Sequence, residues 1–266
     1  MKYFLITFGC QMNTSDSEKI AEIFEKTGYK SASNINEADL VLVNMCSVRQ
    51  SAVNRVYGVI EKLKKLRTTN HKLQTILTGC ILKKDKRKFE KLFDLILDIK
   101  DLKNWPKEFK KNNIKFSKTS NISARLPAGT AYIPIMTGCN NFCSYCVVPY
   151  TRGREISRPT EEIICEVKNL VKRGIKEIWL LGQNVNSYKG FFKQIKPTPQ
   201  KDDRLNYESS LSFSQLLRKI NGIPGKFWIR FTSSHPKDFS DDLIKVMKSC
   251  EKITPYLNLP VQAGDD

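Results

Sequence analysis

Three short apolar runs, each ending in a cysteine, constrain the fold of this 266-residue chain more than any other feature. The runs are Tyr3–Cys10, Leu40–Cys46 and Thr75–Cys80. Continuous apolar runs separated by helical segments are typical of parallel strands with both faces buried. The first intervening segment predicts a helix, because Ser15 and Glu18 have the spacing of a capping box. The sequence therefore predicts an N-terminal α/β domain built on a parallel sheet.

Strand and helix patterns alternate again after a polar, lysine-rich stretch, in which we place the domain boundary between residues 120 and 121. The expected strands of this second part are Tyr132–Thr137, Glu177–Leu181, Phe227–Thr232 and Tyr256–Val261. Repeated βα units predict a parallel barrel, and these units are too few to close one. The predicted fold class is thus α/β, with a parallel-sheet domain over residues 1–120 and a partial βα barrel over residues 121–266, incomplete at its C-terminus.

The chain is strongly basic, with 45 basic and 27 acidic residues and a formal net charge of +18. This excess favours a polyanionic partner such as nucleic acid, although a lysine-rich composition also arises from biased base composition in a genome. No apolar run reaches the roughly 18 residues of a membrane helix, and Tyr3–Phe8 is shorter than the core of about 7–15 residues in an export signal. We expect a soluble, cytoplasmic monomer with no membrane partner.

A compact cysteine motif, C-x3-C-x2-C, directly follows the first strand of the second part. Its members, Cys139, Cys143 and Cys146, suit three irons of a [4Fe–4S] cluster, which leaves the fourth iron open for another ligand. Zinc is the alternative, but it favours closed four-ligand sites, and the chain has only two histidines, His71 and His235. Unligated cysteines are the remaining possibility.

The cysteines at the three N-terminal strand ends form a second candidate site. Parallel strands finish along one edge of a sheet, where α/β proteins bind ligands, so Cys10, Cys46 and Cys80 are expected to converge there. Three thiolates could hold a second cluster with its own open iron. The alternative is that each is a small buried hydrophobe, which is the interpretation we favour for the isolated Cys165 and Cys250.

The motif Cys139–Cys146, placed after a strand of a βα array, resembles the radical S-adenosylmethionine (SAM) superfamily. The resemblance implies that the amine and carboxylate of SAM bind the open iron, and that an electron from the cluster cleaves SAM to a 5′-deoxyadenosyl radical. It also implies that Tyr145, just before the third cysteine, lies near the adenine of SAM. The partial barrel is then a radical SAM barrel.

Four strings, one of which contains this motif, resemble the radical SAM methylthiotransferase family, and within it the MiaB type. They are Thr7–Asn13, Asn44–Arg49, Gly138–Pro159 and Leu181–Tyr188, and the similarity covers essentially the whole chain. It implies conversion of N6-isopentenyladenosine, at position 37 in the anticodon loop of tRNA, to its 2-methylthio derivative. Sister groups act on threonylcarbamoyl-adenosine or on a ribosomal protein, and a non-catalytic iron–sulfur electron carrier is a rival from another class.

The family also implies cofactors, partners and chain length. We expect two [4Fe–4S] clusters and SAM, with Cys139, Cys143 and Cys146 holding the radical cluster, and an auxiliary cluster on Cys10, Cys46 and Cys80. The implied partners are tRNA, an electron donor such as flavodoxin or ferredoxin, and a sulfur or cluster donor. Full-length relatives continue through more barrel into a small RNA-binding domain, so we expect this chain to be truncated at its C-terminus.

Polar residues after two barrel strands are candidates for cofactor binding. Gly182, Gln183 and Asn184 follow one strand, and Ser234 and His235 follow another, at the end where βα barrels carry their chemistry. The alternative for both groups is an ordinary polar turn.

Three arginines after the compact motif are candidates for RNA binding. The guanidinium groups of Arg152, Arg154 and Arg158 suit phosphates. The alternative is that they form surface ion pairs with Glu155 or Glu161.

Overall fold

The computed structural model describes residues 1–112, 114, 129–191 and 210–261. The chain divides into two compact units, the first being Met1–Arg125 with Phe142–Arg152, and the second Leu126–Asn141 with Gly153–Asp266. The expected domain boundary between residues 120 and 121 lies outside the described residues. None of the helices in the described ranges combines the length and the apolar character that a membrane crossing requires.

The described part of the first unit is a parallel sheet flanked by helices. Its strands are β1 (Lys2–Thr7), β2 (Lys30–Ser31), β3 (Leu40–Cys46), β4 (Gln74–Cys80) and β5 (Leu95–Ile96). They pair in the order β2-β1-β3-β4-β5, with every pair parallel. Its helices are α1 (Gln11–Lys26), α2 (Gln50–Thr69), α3 (Lys83–Phe89), α4 (Trp105–Lys111) and α5 (Val148–Thr151), with 3-10 turns at Ile35–Glu37 and Ile99–Asn104.

Strand β3 is buried on both faces, which explains its unbroken apolar sequence. Leu40 and Leu42 pack on one face in a cluster that includes Phe24 of α1, and Val43 packs on the other with Val56 of α2. All five side chains have no solvent exposure. Each such side chain contributes about 1.5–3 kcal/mol when it is fully buried. The predicted N-terminal parallel-sheet domain is confirmed.

The strand order places the cysteines beside a change in winding direction. From β1 the chain passes to β2 on one side and then to β3 on the other, so β1 and β3 border the switch point at which α/β sheets bind ligands. Cys10 follows β1, and Cys46 is the last residue of β3. Cys46 stands directly opposite Cys80, the last residue of β4.

The described part of the second unit contains a three-stranded parallel sheet and two small antiparallel pairs. Its strands are β6 (Thr130–Pro134), β7 (Met136–Thr137), β8 (Ile156–Ser157), β9 (Glu177–Leu181), β10 (Lys189–Gly190), β11 (Leu211–Ser212) and β12 (Trp228–Phe231). The sheet order is β12-β9-β6, and β7 pairs with β8 and β10 with β11. Its helices are α6 (Thr160–Lys172), α7 (Phe213–Asn221) and α8 (Asp241–Ser249), with 3-10 turns at Val185–Ser187 and Pro236–Asp238. This arrangement confirms the predicted partial βα barrel.

Two local predictions are wrong. The segment Tyr256–Val261 is not a strand, because the chain makes only a single bridge to β12, between Ile253 and Ile229, and then leaves the sheet. Helix α1 begins one turn before the predicted cap at Ser15. Its N-cap is Cys10, whose backbone N–H donates to the side-chain oxygen of Asn13.

Gly79 is required by the close approach of β4 to β3. Its φ is +115°, and a Cβ there would overlap the carbonyl oxygen of Met45. We expect Gly79→Ala to lower the free energy of unfolding by about 2–4 kcal/mol, from the unfavourable backbone conformation and the overlap together. Gly58→Ala, in the middle of α2 with open space around it, is the matched control and should raise this free energy by about 0.5–1 kcal/mol. Equal effects in urea denaturation would contradict this account.

Candidate functional site

The thiols of Cys46 and Cys80 lie side by side at the ends of β3 and β4, as the sequence predicts. Each residue is only 5% exposed. Cys10 is half-buried at the N-terminus of α1, close enough for its charge to act on Cys46. The first unit therefore brings the three cysteines to one edge of its sheet.

The side chains of Cys46 and Cys80 change each other's pKa. The hydrogen bond from Cys80 lowers the pKa of Cys46 to about 7. The same bond, together with burial, raises the pKa of Cys80 well above its usual range, while the charge of Arg152 acts in the opposite sense. Because thiolates are the form that binds metal, a lowered pKa at Cys46 favours metal binding near neutral pH.

Arg152 is buried beside this pair, and its placement corrects the expectation that it faces RNA. Its Nε donates to the Sγ of Cys80 at 2.9 Å, and its Nη2 donates to the Oδ2 of Asp16 at 2.6 Å. Burial opposes the charged form of Arg152, but attraction to Cys80 and Asp16 outweighs it and raises the pKa of the guanidinium. Nothing in the sequence around Asp16 signalled this contact.

Two fully buried asparagines hold the cysteine-bearing strand ends together. Asn13 Nδ2 donates to Asn44 Oδ1 at 3.0 Å and to the Met45 carbonyl at 3.2 Å. Asn44 Nδ2 donates in turn to the Asn13 carbonyl at 2.8 Å and to Ser17 Oγ at 2.9 Å. Helix α1, which Cys10 caps, is thereby fixed against β3, which ends at Cys46.

Removing one of these asparagines should destabilise the first unit. Asn44→Ala leaves a small cavity and takes hydrogen-bond partners from Asn13 and Ser17, so we expect a loss of about 2 kcal/mol in the free energy of unfolding. Asn36→Ala is the control, because that residue is exposed in the same unit and should change the value by less than about 0.5 kcal/mol. Urea denaturation measures both, and indistinguishable midpoints would contradict the proposed role of this network.

The three strand-end thiols are the kind of ligand that an iron–sulfur cluster takes. Within the described ranges, no three His, Cys, Asp or Glu side chains stand close enough together to hold one metal ion. A [4Fe–4S] cluster takes each cysteine on a different iron, so its thiolates do not converge on one point. The donor set of thiols, with a buried guanidinium beside one of them, suits such a cluster.

The compact C-x3-C-x2-C motif spans both units in sequence. Cys139 belongs to the second unit, follows β7, and donates its backbone N–H to the Gly153 carbonyl at 3.2 Å. Cys143 and Cys146 belong to the first unit, in a turn where the Cys146 N–H donates to the Cys143 carbonyl at 2.9 Å. Tyr145 is 63% exposed. The roles predicted for these cysteines and for Tyr145 stay predictions.

The five candidate cofactor residues of the second unit lie after neighbouring strands β9 and β12. Three of them carry buried oxygens with no hydrogen-bond partner among the described residues: Gln183 Oε1, Asn184 Oδ1 and Ser234 Oγ. A Cβ at Gly182 would crowd the side chain of Met136, so the chain there has little room for any other residue. Buried polar atoms normally have hydrogen-bond partners, so these three oxygens are candidates for contact with a polar ligand. His235 begins the following 3-10 turn, where its Nδ1 accepts from a backbone N–H.

Two carboxylates that the sequence analysis did not assign to cofactor binding lie beside these oxygens. Asn184 Nδ2 donates to Asp238 at 2.6 Å, and Ser187 Oγ donates to Glu155 at 2.6 Å. Burial is the largest cause that raises the pKa of Glu155, and the charge of Asp238 adds to it. Carboxylates in this position could accept hydrogen bonds from hydroxyl or amine groups of a ligand.

Glu155 should therefore make stability depend on pH. Its pKa in the folded protein lies above its ordinary value of 4.5, so the folded state holds this proton more tightly than the unfolded state does. The free energy of unfolding should fall as the pH rises from about 4.5 through the raised pKa, and then level off. Glu155→Gln lacks this effect, so its stability relative to the parent protein should increase over the same range. Parallel curves in urea denaturation between about pH 4 and 7 would contradict this prediction.

The other two candidate arginines differ from each other. Arg154 is exposed, as an RNA contact requires. Arg158 donates to the Pro134 carbonyl and to Glu166, both at 2.7 Å. Its ion pair is thus with Glu166, whereas the alternative to RNA binding named Glu155 or Glu161 as partners.

Comparisons with known families agree with the fold. Residues 2–98 match the family described as "Uncharacterized protein family UPF0004". Residues 133–266 match the radical SAM superfamily. The chain belongs to the radical SAM superfamily, as the cysteine motif predicts.

Similar curated proteins show which members of the superfamily this chain resembles. Proteins named tRNA-2-methylthio-N(6)-dimethylallyladenosine synthase are 42% identical in Caldicellulosiruptor saccharolyticus, 40% in a Thermoanaerobacter species and 41% in Carboxydothermus hydrogenoformans. The alignments cover 98–99% of this chain and 56–60% of those proteins. The chain thus spans a little more than half the length of these relatives. The resemblance to the MiaB type is confirmed.

A solved structure with a similar fold is the radical SAM methyltransferase TsrM from Kitasatospora setae, with cobalamin and a [4Fe–4S] cluster bound. The TM-score is 0.54 at 12% sequence identity, over 92% of this chain and 58% of that chain. At this identity the likeness concerns the fold.

Proposed function

We propose that the protein is a radical SAM methylthiotransferase that converts N6-isopentenyladenosine at position 37 of tRNA to its 2-methylthio derivative. The observation that carries the proposal is the meeting of Cys46 and Cys80, with Cys10 nearby, at one sheet edge of a chain that also carries the radical SAM cysteine motif. A radical SAM enzyme that only cleaves its cofactor has no need of a second set of cysteines at a sheet edge. The names of the relatives, at about 40% identity, supply the substrate.

The reaction explains why two cysteine sets are needed. Carbon C2 of adenine bears an unactivated C–H bond, so chemistry there requires a radical that protein side chains do not supply. When bound, the cofactors supply that radical at Cys139, Cys143 and Cys146 and the sulfur at Cys10, Cys46 and Cys80. The protein's own residues hold, orient and charge-balance these groups.

The second unit offers the binding groups for SAM. In our proposal, the amine or the ribose hydroxyls of SAM donate hydrogen bonds to the oxygens of Gln183, Asn184 and Ser234, which have no partner in the part of the chain that the structure describes. Glu155 and Asp238 add acceptors and negative charge beside them, which suits a cationic amine.

Exposed side chains near the cysteine motif offer contacts for RNA. Arg154 suits a phosphate. Tyr150 is 72% exposed and packs edge-on against Phe142, with ring centroids 6.2 Å apart. Exposed aromatic rings stack on splayed bases of single-stranded RNA loops, as in an anticodon loop. The net charge of +18 favours association with tRNA. A flavodoxin or ferredoxin as electron donor, and a donor that restores sulfur, complete the proposed partners.

Cysteine variants separate the two proposed sites. We expect replacement of Cys10, Cys46 and Cys80 by Ala to abolish 2-methylthio product while reductive SAM cleavage continues. Replacement of Cys139, Cys143 and Cys146 by Ala should abolish both. The assay combines the purified protein, a reductant, SAM and tRNA bearing isopentenyladenosine, and mass spectrometry measures 5′-deoxyadenosine and the modified nucleoside.

Cys165 is exposed on α6, so the expectation that it is a small buried hydrophobe is wrong. Cys165→Ala is therefore the matched control and should leave both products unchanged. No SAM cleavage by the unmodified protein would favour the iron–sulfur carrier. SAM cleavage with methylthio product only on threonylcarbamoyl-adenosine or a ribosomal protein would overturn the proposed substrate.

A further inference from the structure

The buried ion pair of Arg152 and Asp16 has no part in the function as described so far. Their side chains are 5% and 9% exposed, and the two residues are 136 positions apart in sequence. Removing two charges from water costs several kcal/mol per ion, so such a pair is a poor means of stabilising a fold. Its presence calls for another role.

The pair joins separate cysteine-bearing segments within the first unit. Asp16 lies in α1, the helix capped by Cys10. Arg152 is the C-cap residue directly after α5, in the segment that carries Cys143 and Cys146. The guanidinium then reaches Cys80 at the end of β4, with a distance of 2.9 Å from Nε to Sγ.

The shape of the guanidinium suits these two contacts. Nε faces the Sγ of Cys80, while Nη2 faces the carboxylate of Asp16. A planar fork makes both contacts at once, whereas the ammonium of lysine is a single point charge. Asp16 therefore fixes the orientation of the Arg152 guanidinium relative to the Sγ of Cys80.

We propose that Arg152, oriented by Asp16, is a positioning residue that holds the Cys80 thiolate as a ligand of the auxiliary iron–sulfur cluster and raises the reduction potential of that cluster. The proposal rests on the proposed function, because it needs a cluster on Cys10, Cys46 and Cys80. Hydrogen bonds and positive charge at a cysteine ligand stabilise the reduced form, which carries one more negative charge.

The test isolates the auxiliary cluster. A background variant with Cys139, Cys143 and Cys146 replaced by Ala retains only the strand-end cysteines of the two sets. Arg152→Gln, Arg152→Lys and Asp16→Asn are added to it one at a time. Arg218→Gln is the control, since Arg218 forms an exposed ion pair with Asp242 in the second unit. After anaerobic reconstitution, iron retention against a chelator and the midpoint potential from an EPR redox titration are measured.

We expect Arg152→Gln to weaken iron retention by about 10–100-fold and to shift the midpoint potential to a more negative value. Arg152→Lys should shift the midpoint potential less than Arg152→Gln does, because lysine keeps the positive charge. It should still weaken iron retention in part, because lysine lacks the planar guanidinium that makes both contacts. Asp16→Asn should change iron retention and the midpoint potential in the same directions as Arg152→Gln does. It serves as the second variant if Arg152→Gln fails to fold. Arg218→Gln should match the background.

Other outcomes overturn the inference in distinguishable ways. If the background holds about four irons and the Arg152 and Asp16 variants keep its potential, the pair is only structural, while the proposed function stands. If the background holds no iron while the unmodified protein holds about four, the auxiliary cluster of the proposed function fails, and the inference fails with it.

Discussion

The parallel register of β1, β3 and β4 is the constraint on which the N-terminal unit depends. Because the strands run in one direction, their last residues meet at one edge, and the pairing sets Cys46 directly opposite Cys80. A slip of one residue would turn these side chains to opposite faces. The buried pair Asn13 and Asn44 fixes α1, and with it Cys10, against the same edge. Apolar packing on both faces of the sheet thus does more than hold the domain together, since it sets the positions of three thiols.

Charge is the second constraint on this edge. Thiolates close together repel one another, and burial raises the cost of their charge. A buried arginine beside Cys80 reduces that cost, and Asp16 keeps the arginine in place. In the second unit, by contrast, the strand ends present acceptors, with Gln183 and Ser234 lacking partners among the described residues. The described part of the first unit therefore offers thiol groups at its strand ends, and that of the second unit offers polar acceptors.

The strands and the positions of the cysteines at their ends could be predicted from the sequence, whereas contacts between distant residues could not. Strand β3 has its predicted bounds, because its apolar run is continuous and ends at Cys46. The expectation that Arg152 faces RNA was wrong, because its partners lie 72 and 136 positions away and no local pattern reveals them. The prediction of a last strand at Tyr256–Val261 was wrong for a related reason. These residues have a strand-like composition, but the chain forms only a single bridge to the sheet, at Ile253 just before them. The proposed cofactor and substrate rest on the resemblance of whole motifs, and the superfamily match and the named relatives agree with that resemblance.

The central claim is that this chain carries two separate clusters. Iron and acid-labile sulfide per chain, after anaerobic reconstitution of the unmodified protein, test it most directly, together with spectra recorded before and after SAM is added. The account predicts about eight irons, with the signal of only one cluster changed by SAM. About four irons, all responding to SAM, would show that Cys10, Cys46 and Cys80 hold no cluster and would contradict the account.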